Sequence, residues 1–255
     1  MTRLPDYAGK YTGIRMTRED GVLEMTIHTR GGPAKWGSSP DCLHAELGDA
    51  FLDIARDVEN KVVILTGTGE SFIDGFDPAF AFPEPDIASM WPRIYEEGNS
   101  LLQALLAVPV PMIAAVNGPA LIHAEIAVLC DIVLASENTE FADLAHFPNG
   151  TVPGDGVHVV WPMLLGPNRG RYFLLTGERI GAQEARQLGI VGEVMAPDAL
   201  LPRARTLARN IASVPVPALR YTRSLLVREL RRRMLEELPG GLAHEALATL
   251  VTMPR

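Results

Sequence analysis

Val62-Val63-Ile64-Leu65 is apolar at every position and is closed by Gly67, and Met112-Ile113-Ala114-Ala115-Val116 repeats the pattern further along. A strand with no polar side has to be covered on both faces, which commits the chain to a largely parallel sheet lying between layers of helix. The intervening segments agree. Leu43, Leu47, Phe51 and Ile54 recur at helical spacing after Ser39-Pro40, a cap and first-turn pair. A second helical stretch runs from Tyr95 to Leu106, ahead of Pro109 and Pro111, and a short apolar helix at 124–129 leads into a strand at 131–135. Val22 to Thr29 alternates, with Leu23, Met25 and Ile27 on one face and Glu24, Thr26 and His28 on the other, as a half-buried strand does. Alternation on this scale means right-handed crossover units. Beyond Gly166 the pattern is mostly helical, and Pro215 and Pro217 break it before the last helices. The expectation is one α/β domain over residues 1–255, with a core to about 195 and a helical C-terminal part from about 196.

Charge narrows the partners. A net charge of -8 gives no global attraction to nucleic acid or to an anionic membrane. Arg228, Arg231, Arg232 and Arg233 are interleaved with Glu229, Glu236 and Glu237, which fits a solvated helix face or subunit contact better than a phosphate site. Cys42 and Cys130, far apart, fit buried thiols of a reducing compartment. The N-terminus carries Arg3, Asp6 and Lys10 with no apolar leader, and no apolar run is long enough for a membrane, so a cytoplasmic location is expected.

Several familiar motifs fail. Gly67-Thr68-Gly69 follows a strand but lacks the third glycine and the helix opening of a dinucleotide loop. There is no G-x-S-x-G elbow, and His244-Glu245 lacks the second histidine of a zinc helix. Neither a cofactor nor a metal is expected. What remains is three loops at the ends of apolar elements: Ser71 to Asp77, Asn117 to Glu125, and His146 to Gly156. Strand-end loops are where an α/β protein builds its site.

The Asn117-Gly118 turn leading to Cys130-Asp131-Ile132, together with Val152-Pro153-Gly154, resembles the crotonase (enoyl-CoA hydratase/isomerase) superfamily from about Val22 onward. That resemblance implies a spiral of ββα turns with a helical C-terminal part, assembled as a homotrimer or a dimer of trimers. It also implies an oxyanion hole from the backbone N–H groups of Phe76 and Ile122. The departures are specific. Histidine stands at position 146 where the hydratases carry a glutamate, Asp155 replaces a small residue, and a glycine triplet becomes Ile122-His123-Ala124. Segments 60–69, 153–162, 168–177 and 242–247 resemble the 6-oxocamphor hydrolase group of coenzyme-A-independent β-diketone hydrolases. This narrower resemblance implies a site of Trp36, His123, His146, Asp155 and Glu245 acting on a small-molecule diketone.

Hydrolysing a β-diketone at carbon–carbon is a retro-Claisen reaction, which needs a base for water, a donor for the attacked carbonyl and stabilisation of the departing enolate. His146 is the candidate base, since imidazole titrates near operating pH, and Asp155 the acceptor of its other ring N–H. Trp36 offers an indole N–H and an apolar wall, and His123 a donor to the enolate. Glu245 would donate to a carbonyl if protonated and orient water or a histidine if ionised; the sequence leaves both open. Phe76, Phe80, Phe82, Trp91 and Leu144 are candidate pocket walls, while His28 and His44 are expected at the surface and His158 stands outside the site. The alternatives are a CoA-thioester hydrolase or lyase of the same fold, and a non-catalytic binding module.

Overall fold

A computed structural model of the chain describes residues 2–37, 39, 41–79 and 87–252. Its strands are β1 (Ile14–Glu19), β2 (Val22–Ile27), β3 (Val62–Gly67), β4 (Met112–Val116), β5 (Ile132–Ser136), β6 (Glu140–Phe141), β7 (Ile180–Gly181) and β8 (Glu193–Met195). The helices are α1 (Leu4–Tyr7), α2 (Leu43–Arg56), α3 (Ile87–Ala107), α4 (Glu125–Val128), α5 (Val157–Leu165), α6 (Pro167–Thr176), α7 (Ala182–Gln187), α8 (Pro197–Ala212), α9 (Val216–Leu226) and α10 (Arg228–Thr252), with a 3-10 turn at Phe147–Asn149.

Six strands form one sheet in the order β1-β2-β3-β4-β5-β8, parallel throughout except for the β1–β2 hairpin, and β6 and β7 make a separate antiparallel pair. Both faces are covered, which is why β3 and β4 carry no polar side. On one face Val22, Val62, Ile64, Ile113, Ala115 and Leu134 meet Leu200, Ala204, Ala208 and Ala212 of α8, a stripe at four-residue spacing that brings the helix close to the sheet. On the other, Leu23, Met25, Val63, Leu65, Met112 and Ala114 join the main core with Leu47, Phe51 and Ile54 of α2 and Leu101 and Leu105 of α3.

Three local expectations change. The α2 helix opens at Leu43 with Cys42 at its cap, later than the Ser39-Pro40 pair suggests, and Pro40 lies outside the described residues. His28 and His44 are buried rather than at the surface. The loop after β2 folds back so that Gly31 donates its N–H to His28 Nδ1 at 3.1 Å, and α2 is packed against α3 as well as the sheet, so His44 meets Glu97 at 2.8 Å. The arginine cluster behaves as read: Arg232 and Arg233 pair with Glu229 and Glu236 on the exposed side of α10. No helix among the described residues is long and apolar enough to cross a membrane.

Candidate active site

Asn117 fastens two of the three loops together. Its side chain accepts from Gly67 N–H at 3.0 Å and donates to the carbonyls of Gly69 and Ser71 at 2.8 and 2.9 Å. The approach is so close that a Cβ on Gly118 would lie 1.9 Å from Glu70 O, and one on Gly67 2.4 Å from Ser71 O. These glycines serve loop packing: a side chain at either position would collide with the backbone of the neighbouring loop. Onward from the turn, Phe72 N–H reaches Pro119 O and Leu121 N–H reaches Ile73 O, and the chain arrives at His123 in a left-handed conformation, φ 51°.

There the predicted residues converge. His123 Nδ1 lies 2.8 Å from Asp155 Oδ2 and 2.8 Å from Glu125 Oε1, and His146 Nε2 lies 3.2 Å from the same Asp155 oxygen. The two imidazoles meet edge to face at 5.4 Å, and Trp36 stacks on His123 at 3.9 Å between ring centres. Trp36 is held by backbone bonds from its N–H to Gly75 O and from Asp77 N–H to its carbonyl. Gly154 packs directly on α10, where a Cβ on Gly241 would lie 2.1 Å from Gly154 O, and one turn further along α10 Glu245 feels the charge of Asp155.

Asp155 is not the acceptor of the other His146 ring N–H. That place is taken by Asp143, whose Oδ1 is 2.6 Å from Nδ1, while Asp155 addresses Nε2. Asp143 and Glu125 were not singled out in the sequence; the available signal was an acid three residues before one histidine and two residues after the other. His44 also belongs here, its ring edge-on to Trp36 at 5.6 Å. Phe76 is bridged to Trp36 and partly exposed. Ile122 is buried, and its N–H donates to Ile73 O at 3.2 Å, so this half of the family's oxyanion hole is engaged within the protein. Trp91 is buried, Leu144 is half-buried, and Phe80 and Phe82 lie outside the described residues.

The electrostatics follow from burial and crowding. Burial alone would lower the histidines, but the carboxylates outweigh it: Asp155 and Glu125 push His123 up to about 10, and Asp155 and Asp143 raise His146 well above its ordinary value. Burial works against Asp155 ionising, yet His146 and His123 hold it well below the usual carboxylate range. Glu245 is pushed up to about 8 by burial and then by the charge of Asp155, and burial raises Glu125 also. Nδ1 of His123, Nε2 of His146 and an Asp155 oxygen lie within 4.8 Å of one another, a spacing that a divalent ion can span. Each of these atoms is already bonded to another of the set as an ion-paired network. A groove of 680 Å³ between α2 and α3, lined by Lys10, Asp53 and Glu96 among others, contains neither His123 nor His146.

Fold and site together define a member of the enoyl-CoA hydratase/isomerase family: its family model matches residues 17–242, and the chain belongs to it. Within that family the chain is 31% identical to 1,2-epoxyphenylacetyl-CoA isomerase of Escherichia coli strain K12, over 77% of this chain and 75% of that protein. It is 33% identical to carnitinyl-CoA dehydratase of Salmonella arizonae, over 91% of each. Among solved structures it is similar to a β-diketone hydrolase from the cyanobacterium Anabaena sp. PCC 7120 bound to (S)-3-oxocyclohexyl acetic acid. That match has a TM-score of 0.91 and 44% identity, covering 98% of this chain and 99% of the other.

Proposed function

We propose that this protein hydrolyses a carbon–carbon bond of cyclic or bicyclic β-diketones, giving a keto acid without a cofactor. The observation that carries this is the buried His123–Asp155–His146 cluster, in which one carboxylate joins two histidines and keeps a second oxygen, Oδ1, without a protein partner among the described residues. In the neutral form of His146, which Asp155 and Asp143 confine to higher pH, water held on Asp155 Oδ1 attacks one carbonyl carbon as its proton passes to Nε2. Asp143 and Asp155 stabilise the imidazolium that forms, as the acid of a hydrolytic triad does. His123 has no protein partner on Nε2 among the described residues and keeps its proton, so it donates to the carbonyl oxygen that gains charge. The carbon–carbon bond then breaks, and the enolate carbon takes from His146 the proton that water gave up. Glu245, protonated at neutral pH, donates to the second carbonyl, and Trp36 walls the site.

The same reading places copies of the chain against one another through the exposed apolar residues Tyr221, Leu225, Leu226, Leu247 and Val251 of α9 and α10, as a trimer or a dimer of trimers; sedimentation gives the count. A CoA-thioester reaction is the second candidate, because the isomerase and dehydratase named above carry that chemistry in their names. Parallel incubations with a bicyclic 1,3-diketone and with crotonyl-CoA decide between them. A single keto-acid enantiomer from the first, with the thioester untouched, is expected. Turnover of crotonyl-CoA alone would overturn the reaction while leaving the family.

A further inference from the structure

We propose that Asp143 is a positioning residue: it fixes the proton of His146 on Nδ1 and so leaves Nε2 as the nitrogen that exchanges protons. This rests on the role given to His146 above. Asp143 and His146 are 1% and 2% exposed, and their 2.6 Å contact spans three residues of irregular chain between β6 and the 3-10 turn. Both ends of that contact are pinned. Ala142 and Leu144, on either side of Asp143, donate their N–H groups to Ala120 O and Leu121 O, on the loop that delivers His123. The carbonyl of His146 takes the N–H groups of Asn149 and Thr151.

With the backbone fixed at both ends, the tautomer is decided by repulsion. A neutral imidazole protonated on Nε2 would turn its Nδ1 lone pair toward an acceptor oxygen at hydrogen-bond distance, and a carboxylate has no proton to offer. The same repulsion acts at Nε2, but Asp155 Oδ2 stands further off there, at 3.2 Å, and is shared with His123 at 2.8 Å, so the closer Asp143 contact decides and the Nδ1–H form is selected. The groups that face His146 are Asp143 on one nitrogen, Asp155 on the other, the ring of His123 at 5.4 Å, and the charge on Glu245. Among the described residues, the Oδ2 of Asp143 is buried without a hydrogen-bond partner, an arrangement that costs stability and that a carboxylate kept for packing would not show.

The test needs no substrate for its first half. Uniformly ¹⁵N-histidine-labelled protein is titrated, with the His146 signals assigned by their loss in His146→Ala. In the wild type, neutral His146 should carry its proton on Nδ1; in Asp143→Ala the Nε2–H form should dominate. Asp143→Asn keeps the volume and removes the charge, so the His146 midpoint should fall by about one pH unit or more whichever way the amide turns, with the melting temperature maintained. In the second half, kcat for the diketone should drop on the order of 10²-fold or more in Asp143→Ala, with KM nearly unchanged. An unmoved tautomer and midpoint in both folded variants would overturn the assignment. Failure of the wild type to hydrolyse any diketone would instead remove the proposed reaction, and the spectra would still decide what Asp143 does to His146.

Discussion

Two buried polar clusters in this molecule differ in how completely they are satisfied. Where α1, β1 and the end of α2 meet, Asp57 Oδ2 takes Tyr7 OH at 3.0 Å and Arg18 Nη1 at 2.6 Å, and Oδ1 takes Glu59 N–H at 3.0 Å. Asn60 completes the set through Tyr7 OH, Ile54 O and Arg18. The site cluster, among the described residues, leaves Glu125 Oε2, Asp143 Oδ2, Asp155 Oδ1 and Glu245 Oε2 without partners. A network that closes on itself holds elements together; one that leaves acceptors open has been kept for something that arrives later.

Mutations can break that contrast at either end. His146→Ala should lower turnover of a bicyclic diketone by about 10²–10⁴-fold, with Asp155→Asn also strongly reduced, an effect on the chemistry that outweighs the effect on melting temperature. Asp57→Ala should do the reverse. Left with unpaired partners, the fold should lose about 3–5 kcal/mol in urea titrations, with kcat of the folded enzyme unchanged. Gly241→Ala tests the join between the helical end and the site. The new methyl would meet Gly154 O, lift α10 and carry Glu245 away, so stability should fall by about 1–3 kcal/mol and turnover with it.

A pH titration sharpens the electrostatics. The Glu245 carboxyl, at about 8, sits above its ordinary 4.5, so the folded state resists its ionisation and the wild type loses stability as pH rises through that interval. Glu245→Gln removes the group that titrates. Its melting temperature relative to wild type should therefore climb across the same interval and level off above it. An offset independent of pH would place Glu245 in contact with solvent instead.

How much was legible follows the same division. The strands β3, β4 and β5 announce themselves because a covered strand has no polar positions, and the helices α2 and α3 because one side of each is apolar. The β1 strand does not announce itself: Ile14 and Met16 alternate with Arg15 and Thr17 over too few residues to stand out before the Asp20-Gly21 turn. For the site, the resemblance supplied Trp36, His123, His146, Asp155 and Glu245, and the fold brings the first four together with Glu245 close enough to feel Asp155. It could not supply pairing. Which nitrogen meets which carboxylate depends on how the chain turns between β6 and the 3-10 element, and the Asp143–His146 spacing is compatible with many turns. His44 was misplaced because burial of a helix face depends on what packs behind it, here α3 and Trp36, neither visible in the helix's own periodicity.

His123 sits at φ 51°, a conformation that costs a non-glycine residue roughly 1–2 kcal/mol. Glycine would rest there without strain. The side chain most central to the site therefore occupies a position where the backbone alone favours its loss. In a lineage no longer selected for the proposed reaction, replacement by glycine would relieve that strain, while Asp155 and Glu125 would lose the imidazole they share. Descendants with glycine at this position would then mark where the function was given up, and restoring the histidine would bring the strain back.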